Sequence, residues 1–308
     1  LRESLAQLEA PDFEKGPWDE EFRADWFRLR GRLREALGDA AESADLIRYA
    51  CDQVEANKGY IVPMGRDPLK GFRVKNTSVL RPYGVWVVIS PFNFPCALTA
   101  GPSGAALVAG NTLVIKPATN TPWTVRLFAE CLRDAGLPDG VFNYVTGPGS
   151  TIGQELIENP EVDGITFTGS YDVGMKIYRT FANGRYPRPT ILEMGGKNII
   201  IVMDDANLDL AIDGATWGGF GTTGQRCTAA SRIAVHKSVY KEFVSRFVDR
   251  AKSLKIGNGL DASTEMGPCI TWIWKRPMPR SPACSSPGGK PCFKSPCITT
   301  PCFGPCGA

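Results

Sequence analysis

Short apolar segments alternate with amphipathic segments over the middle of the chain, and this alternation restricts the possible folds more than any other feature. The apolar segments have the length of buried strands: GVWVVIS (84–90), NTLVIKP (111–117), VFNYVTG (141–147) and GITFTG (164–169). The segments between them are typical of helices: TPWTVRLFAECLRDAG (121–136), STIGQELIEN (150–159) and, after the last strand, YDVGMKIYRTFA (171–182). Strands that alternate with helices form a parallel sheet with helices on both faces. The sequence therefore predicts a doubly wound α/β fold.

Composition divides the chain into four predicted segments. Residues 1–59 are an N-terminal helical segment rich in charge, and residues 60–190 form a Rossmann-like dinucleotide-binding domain. Residues 191–271 begin a second α/β domain. Residues 272–308 are dense in proline, cysteine and serine without helical or strand periodicity, and we expect an aberrant, unstructured tail.

The cysteines of the tail do not follow a known metal-binding pattern. Six of the ten cysteines of the chain fall within its last forty residues. They include no C-x-x-C pair, and no histidine accompanies them to complete a zinc site. We therefore expect no metal site in this protein.

Charge and hydropathy argue against several classes of protein. The 308 residues carry a formal net charge of +3 without a concentrated basic stripe, so nucleic-acid binding gains no support. The apolar segments are shorter than the roughly 20 residues that cross a membrane, and no secretory signal opens the chain. These features predict a cytoplasmic enzyme that acts on a small molecule, with neither nucleic acid nor membrane as a partner.

Glycine-rich turns follow two of the predicted strands. Gly149 and Gly153 surround the start of one helix, and Gly169 and Ser170 precede another. The start of a helix after a parallel strand suits a phosphate group, because free N–H groups and the helix dipole point toward it. Either turn alone indicates no more than a tight reversal of the backbone. Two such turns in one sheet favour a dinucleotide.

Cys227 lies in GTTGQRCTAASR (221–232), after a predicted helix that Asn207 caps. Its neighbours are small and polar, so a ligand can approach its sulfur, which suits a nucleophile. We expect Cys227 to be the most reactive cysteine within residues 1–268, since Cys51 and Cys131 lie on helical faces where burial is expected. Glu193 stands beside two glycines at the end of another apolar run and is a candidate general base.

Five motifs, in this order and spacing, resemble the aldehyde dehydrogenase superfamily: PFNFP (91–95), VIKPATNTP (114–122), FTGS (167–170), LEMGGKN (192–198) and GQRCTA (224–229). The resemblance covers roughly residues 40–270 and implies that residues 191–271 are the first part of a catalytic domain. The stretch from Arg81 to Pro122 is most similar to the branch that contains 1-pyrroline-5-carboxylate (glutamate semialdehyde) dehydrogenase.

The resemblance implies roles for three residues. Cys227 matches the nucleophile, whose thiolate adds to the aldehyde and gives a thioester after hydride transfer. Asn93 matches the residue whose amide donates to the oxyanion, together with the backbone N–H of Cys227. Glu193 matches the base that activates water to hydrolyse the thioester. The implied activity is the oxidation of an aldehyde to a carboxylate with a nicotinamide cofactor.

The resemblance also implies a cofactor site. Lys116 matches the lysine that meets the adenosine ribose, and four residues match the pyrophosphate region: Gly149, Gly153, Gly169 and Ser170. Thr119 stands where relatives often carry a glutamate that binds both ribose hydroxyls. A carboxylate there repels a 2′-phosphate, whereas threonine does not. We expect NAD as the cofactor, and NADP stays open.

Two features of the family are absent from this sequence, and they leave alternatives open. The Glu-x-Phe-Gly-Pro motif, whose glutamate meets the nicotinamide ribose, is missing, as is the arm through which relatives form homo-oligomers. One alternative is therefore an inactive fragment that only binds a dinucleotide. The other is a cysteine-dependent acyl hydrolase in which His236, nine residues after Cys227, acts as the base.

Overall fold

The structure, a computed structural model, describes residues 39–65, 71, 75–259 and 261–270. Within these ranges the residues up to Met194 form one compact unit, and those from Gly195 onward form a second. The predicted tail over 272–308 and residues 1–38 of the predicted N-terminal segment lie outside the described residues.

Strands and helices alternate through both units. In chain order they are α1 (39–56), β1 (Ile61–Pro63), β2 (Thr77–Val79), β3 (Val85–Ile89), α2 (Ala97–Val108), β4 (Thr112–Lys116), α3 (Pro122–Asp134), β5 (Phe142–Tyr144), α4 (Gln154–Glu158), β6 (Gly164–Gly169), α5 (Tyr171–Ala182), β7 (Thr190–Met194), β8 (Asn198–Val202), α6 (Leu208–Phe220), β9 (Ala230–Val235) and α7 (Tyr240–Ser253). A π-helical turn at Gly149–Gly153 precedes α4, and a 3-10 turn at Gly221–Gly224 follows α6.

Five of the strands form one parallel sheet in the order β5-β4-β3-β6-β7. From β3 at the centre, β4 and β5 extend the sheet to one side, and β6 and β7 extend it to the other. This reversal of direction is the arrangement of a doubly wound dinucleotide-binding sheet, in which ligands bind where the direction changes. The predicted α/β class and Rossmann-like sheet are confirmed.

The central strand β3 sends side chains into a core on each face of the sheet. Val87 packs into one cluster with Ile165, Phe167, Ile177 and Phe181. Trp86 and Val88 pack into the other with Leu113, Ile115 and Val125. Alternate residues of a strand point to opposite faces, so a continuous apolar run supplies both cores. This explains why VWVVI contains no polar residue.

Helix α2 was not predicted from the sequence. It contains Pro102 and is built mostly of alanine, glycine, serine and threonine, so it shows little contrast between an apolar face and a polar face. The structure buries it on several sides, through Ala97, Thr99, Ala100, Ser103, Gly104 and Ala106. A helix in contact with neighbours all round has no polar stripe to display, which is why periodicity alone does not reveal it.

Helix α1 packs against α2 in the first unit. Its Leu46 and Ile47 side chains lie over Gly101 and Gly104, where an added Cβ would come within 2.9 and 2.7 Å of them, respectively. At its start, the buried carboxylate of Asp39 accepts hydrogen bonds from the backbone N–H groups of Cys96 and Ala97, at 2.9 and 2.7 Å. Burial raises the pKa of Asp39, and these two hydrogen bonds oppose that rise. The described part of the predicted N-terminal segment is therefore packed onto the sheet domain.

Strand β7 belongs to the parallel sheet of the first unit, where it pairs with β6. The boundary predicted after residue 190 assigns residues 191–194 to the next domain, but the first sheet extends past it to Met194. The sequence predicts an extended segment at 190–194. It does not predict which strand this segment pairs with, because the pairing depends on side-chain packing. Leu192 packs into the core that contains Phe167, and this contact places β7 in the first sheet.

The second unit has a smaller sheet, the parallel pair β8 and β9. Helices α6 and α7 cover one face of it with a single core of Val202, Ile212, Ala215, Ile233, Phe243 and Phe247. Ile199 and Ile201 lie exposed on β8. No helix among the described residues of either unit is long and apolar enough to cross a membrane.

Candidate active site

Most of the predicted cofactor residues meet at the carboxyl edge of the five-stranded sheet. Lys116 is the last residue of β4 and Gly169 the last residue of β6, and β3 separates these two strands. The turn that contains Gly149 and Gly153 follows β5, the neighbour of β4 on its other side. The structure thus places the predicted dinucleotide residues along one edge of one sheet.

Lys116 is a buried lysine that lies beside Gly153. Its side chain is 4% exposed, and its Nζ donates a hydrogen bond to the carbonyl oxygen of Pro117 at 3.0 Å. Burial lowers the pKa of Lys116, because the charged ammonium loses hydration. A Cβ on Gly153 would lie 3.7 Å from Cε of Lys116, an ordinary van der Waals distance, so the lysine stem lies alongside the backbone of Gly153.

Thr119 links the loops that follow β4 and β5. It is exposed, and its Oγ1 donates a hydrogen bond to the carbonyl oxygen of Gly147 at 3.5 Å. Gly149, two residues further on, has open space where a side chain would be. A planar or charged group can therefore approach the backbone at Gly149 without meeting a side chain.

Ser170 caps helix α5, and its hydroxyl accepts a hydrogen bond from the backbone N–H of Val173 at 3.4 Å. Gly169 before it has no room for a side chain, since a Cβ would come within 2.6 Å of the Phe167 ring. The pair fixes the start of a twelve-residue helix at the edge of the sheet. Such a start presents free N–H groups to an anion.

Ser90 is a residue at this edge that the sequence reasoning missed. It directly follows β3, it is 3% exposed, and its Oγ is buried without a hydrogen-bond partner among the described atoms. Its backbone N–H donates to the carbonyl oxygen of Lys116 at 3.1 Å. A buried hydroxyl without a partner costs free energy, so it favours a polar ligand at this point. The sequence gives no sign of it, because a serine before a proline is typical of any turn.

Asn93 lies in a bend and Glu193 on a strand of the first unit. Asn93 is half-buried in the bend between β3 and α2. Glu193 pairs with Thr168 across β6 and β7, and its side chain is exposed. Both stand at the carboxyl ends of their strands, the edge where the cofactor residues are found.

Cys227 belongs to the second unit and lies in a turn between the 3-10 turn and β9. Asn207 caps α6 as predicted, since its side chain accepts hydrogen bonds from the backbone N–H groups of Asp209 and Leu210. The helix ends at Phe220, so Cys227 lies beyond it and not at its end. The thiol of Cys227 is exposed. It is therefore accessible to a substrate.

The backbone before Cys227 is strained. Thr222, Thr223 and Gly224 all have positive φ, of 52°, 56° and 68°. A β-branched residue in this region costs roughly 1–3 kcal/mol, and such strain persists only where neighbouring contacts hold the backbone in place. Arg226 supplies one such contact: its Nη2 donates to the carbonyl oxygen of Trp217 at 2.9 Å, and its guanidinium lies 4.8 Å from the Trp217 ring centroid.

The profile of the Aldehyde dehydrogenase family matches residues 28–272. The chain belongs to the aldehyde dehydrogenase family. It is 41% identical over 242 residues to 1-pyrroline-5-carboxylate dehydrogenase 1 of Halalkalibacterium halodurans, which covers 77% of this chain and 46% of that protein. It is 43% identical over 245 residues to the alpha-ketoglutarate semialdehyde dehydrogenase of Haloferax volcanii, which covers 78% and 48%.

Solved structures agree with this assignment. The chain is similar to PnpE in complex with nicotinamide adenine dinucleotide, with a TM-score of 0.69 and 37% identity over 77% of this chain and 47% of PnpE. The predicted resemblance to aldehyde dehydrogenases, including 1-pyrroline-5-carboxylate dehydrogenase, is confirmed. This member of the family spans about half the length of the curated relatives it matches.

The other cysteines of this aldehyde dehydrogenase chain differ from the expectation in one case. Cys131, predicted to be buried on α3, is exposed, because the helix turns its Val125–Phe128 face to the sheet. Cys51 and Cys96 are half-buried. Burial raises the pKa of the Cys96 thiol, which disfavours its reactive thiolate.

His236 lies too far from Cys227 in space to act as its base, because strand β9 separates the two residues. It follows the last residue of β9, whereas Cys227 precedes the first, and a strand of six residues spans about 20 Å. Its Nδ1 is 2.8 Å from Ser238 Oγ and 4.0 Å from Asp204 Oδ2. The geometry argues against the acyl hydrolase alternative. Among the described residues, no group of three or more histidine, cysteine or acidic side chains is arranged to hold a metal ion.

Proposed function

We propose that this chain carries the nucleophile and the cofactor site of an enzyme that oxidises an aldehyde to a carboxylate with a nicotinamide cofactor. The observation that carries the proposal is the exposed thiol of Cys227 on a strained turn, in a member of the aldehyde dehydrogenase family. Strain of this kind is costly and accumulates where function needs a fixed geometry.

The carboxyl edge of the first sheet fits a dinucleotide. The unpartnered Ser90 hydroxyl and the open backbone at Gly149 leave space and polarity for one. Lys116 would hold the adenosine ribose, and the pyrophosphate would lie near four residues: Gly149, Gly153, Gly169 and Ser170. When bound, the nicotinamide supplies the acceptor for the hydride that the substrate loses. We expect NAD to bind better than NADP, which remains the second choice.

Cys227, Asn93 and Glu193 would divide the chemistry between them. The Cys227 thiolate forms a carbon–sulfur bond to the aldehyde carbon, and the carbonyl electron pair moves to oxygen. The Asn93 amide donates a hydrogen bond to that oxyanion. Once a thioester is present, the Glu193 carboxylate takes a proton from water, and the resulting hydroxide attacks the acyl carbon. The carbon–sulfur bond then breaks, which releases a carboxylate and restores the thiolate.

The substrate we propose is a small aldehyde that also carries a carboxylate, with glutamate semialdehyde as the first candidate. Its support is the similarity to a protein named 1-pyrroline-5-carboxylate dehydrogenase and to one named alpha-ketoglutarate semialdehyde dehydrogenase. Alpha-ketoglutarate semialdehyde is a five-carbon acid with an aldehyde at the far end, and 1-pyrroline-5-carboxylate is the cyclic imine whose hydrolysis gives another such acid, glutamate semialdehyde. We propose a cytoplasmic location, with a homo-oligomer as the form of the intact parent enzyme.

A chain that only binds a dinucleotide is the alternative. It is favoured by one observation: the cofactor residues all lie in the first unit, whereas Cys227 lies in the second. Binding to the first unit therefore does not depend on the chemistry of Cys227. A test of function must measure binding and turnover separately.

The decisive experiment combines calorimetric titration with NAD and NADH formation from glutamate semialdehyde. We expect the parent chain to bind NAD and to produce NADH. Cys227→Ala should bind NAD equally well and produce no NADH, whereas Cys131→Ala, which removes another exposed thiol, should keep the parent rate. NAD binding without NADH in the parent chain supports the binding-only alternative. Equal turnover of Cys227→Ala and the parent contradicts the thioester mechanism.

A further inference from the structure

Asn198, the first residue of β8, is hydrogen-bonded to the turn that carries Cys227. Its Nδ2 donates to the carbonyl oxygen of Cys227 at 2.8 Å and to that of Ala229 at 3.3 Å. One amide group therefore fixes the backbone at two points of the turn. The motif LEMGGKN contains Asn198, but nothing in the sequence connects this residue with Cys227, which lies 29 positions later.

A β-bulge beside Asn198 helps to direct its side chain toward the Cys227 turn. Asn198 pairs with Ala230, but the next residue, Ile199, pairs with Arg232. Ser231 is thus an extra residue in β9, and its Oγ donates to the carbonyl oxygen of Asn198 at 3.5 Å. Bulges of this kind are uncommon between parallel strands and redirect the side chains beside them. Here the bulge coincides with the contact to the Cys227 turn.

Gly196 allows the close approach of Asn198 and the turn. A Cβ at this position would lie 3.2 Å from Asn198 Oδ1 and 3.5 Å from the carbonyl oxygen of Cys227. The first distance is tighter than a side-chain atom normally tolerates, so a larger residue would push the amide away. Glycine therefore leaves the space that the two hydrogen bonds need.

We propose that Asn198 is a positioning residue, which holds the carbonyl groups of the Cys227 turn toward β8 and so keeps them away from the sulfur. A thiolate is destabilised by nearby carbonyl oxygens and stabilised by N–H groups. The strained backbone at Thr222 and Thr223 makes such an anchor necessary, since an unheld turn relaxes. The inference rests on the proposed nucleophilic role of Cys227 and assigns a purpose to Asn198, Ser231 and Gly196 together.

The test measures how fast iodoacetamide labels Cys227, by peptide mapping without cofactor or aldehyde. The rate is divided by that of Cys131 in the same sample, because Cys131 is also exposed but lies in the first unit. Asn198→Asp keeps the shape of the side chain but replaces its donor with an acceptor. Both hydrogen bonds to the turn are lost, and we expect the ratio to fall by at least roughly threefold to tenfold, the size expected for the loss of a single hydrogen bond. Asn198→Gln, which keeps an amide donor, should recover part of the loss.

Asn143 provides a matched control. Its Nδ2 also donates to two backbone carbonyls, those of Leu113 and Gly140, at 3.1 and 2.8 Å. Asn143→Asp therefore removes the same kind of contact from the first unit. It should lower the thermal midpoint of that unit without changing the Cys227 to Cys131 ratio.

Gly196→Ala gives a second way to disturb the contact if Asn198→Asp does not fold, and it should lower the ratio by a smaller amount. If Asn198→Asp folds, an unchanged Cys227 to Cys131 labelling ratio in it overturns the proposal. If it does not fold, an unchanged ratio in Gly196→Ala overturns the proposal. An equal fall in Asn143→Asp overturns it as well. Failure of the proposed function would appear differently, as a parent chain that makes no NADH while the labelling ratios still respond to Asn198.

Discussion

At the scale of single residues, Thr119 determines the charge beside the proposed ribose site. It is exposed, and its hydroxyl joins the loop after β4 to Gly147 in the loop after β5. Lys116, nearby in the sequence, is the last residue of β4, and its side chain carries the positive charge proposed to lie beside the ribose. A neutral residue at position 119 leaves that charge uncompensated and permits a 2′-phosphate.

Thr119→Glu should discriminate against NADP. The added carboxylate repels a 2′-phosphate, so we expect NADP affinity to fall about tenfold or more, while NAD affinity stays equal or improves. Calorimetric titration of the chain with both dinucleotides measures this directly and does not depend on turnover. Thr119→Gln is the control, since it has the size of glutamate without its charge. An unchanged NAD to NADP ratio in Thr119→Glu would mean that the ribose lies elsewhere.

The place of a residue in the proposed site can be predicted from the sequence where a local pattern determines it, and not where a contact with a distant segment does. Lys116 and Gly169 follow from the strand pattern, because the end of an apolar run marks the edge of a parallel sheet. The exposure of Cys131 and the unpartnered hydroxyl of Ser90 depend on the packing of other segments around them. The role proposed for Asn198 needs a contact with a distant turn, which no local pattern contains.

At the scale of elements, the contact between α1 and α2 depends on two glycines. Ile47 lies over Gly104, where an added Cβ would come within 2.7 Å of its Cγ1 and 3.3 Å of its Cα. The second atom belongs to the backbone, so a rotation of the isoleucine side chain does not relieve the whole clash. The two helices can approach this closely only while position 104 lacks a side chain.

Gly104→Ala should therefore destabilise the first unit although alanine is the better helix former. Overpacking costs typically about 1–3 kcal/mol, which outweighs a gain in helix propensity of at most about 1 kcal/mol. Gly214→Ala in α6 is the matched control, because a Cβ there meets no atom within 4 Å and only the propensity gain remains. Urea unfolding of both variants decides the matter. Stabilisation by Gly104→Ala would show that α1 does not pack as described.

The alternation of strands and helices was predictable, whereas some partners of these elements were not. The predicted strands at 84–90 and 111–117 appear as β3 and β4, and the predicted helix at 121–136 appears as α3. Helix α2 escaped prediction because it is buried nearly all round and so lacks periodicity. The three-residue strands β1 and β2 are exposed throughout and show no alternation either.

At the scale of the whole molecule, each unit has its own hydrophobic core. Two clusters flank the five-stranded sheet, and one cluster supports the β8–β9 pair. A separate core gives each unit its own cooperative unfolding. The cofactor residues lie in the first unit alone, so a bound dinucleotide stabilises the units unequally.

Hydrogen exchange with mass spectrometry should resolve this difference. With NAD at about 100 times its dissociation constant, the free energy of opening should rise by about 2.7 kcal/mol for β3, β4 and β6, and much less for β8 and β9. Peptides from the two sheets are compared in the same sample, so any effect of the ligand on the intrinsic exchange rate is the same for both. Equal protection of both sheets would contradict a cofactor site confined to the first unit.

The extra residue in β9 has a consequence for how this sequence tolerates insertions and deletions. Arg232 and the residues after it pair regularly with β8, so loss of Ser231 would leave their register intact. The residues before the bulge would instead shift by one position, which moves their side chains to the opposite face of the sheet. A deletion of one codon could therefore preserve the fold of β9 while pointing the Cys227 turn the wrong way. The number of residues at this position therefore sets the direction in which the Cys227 turn points.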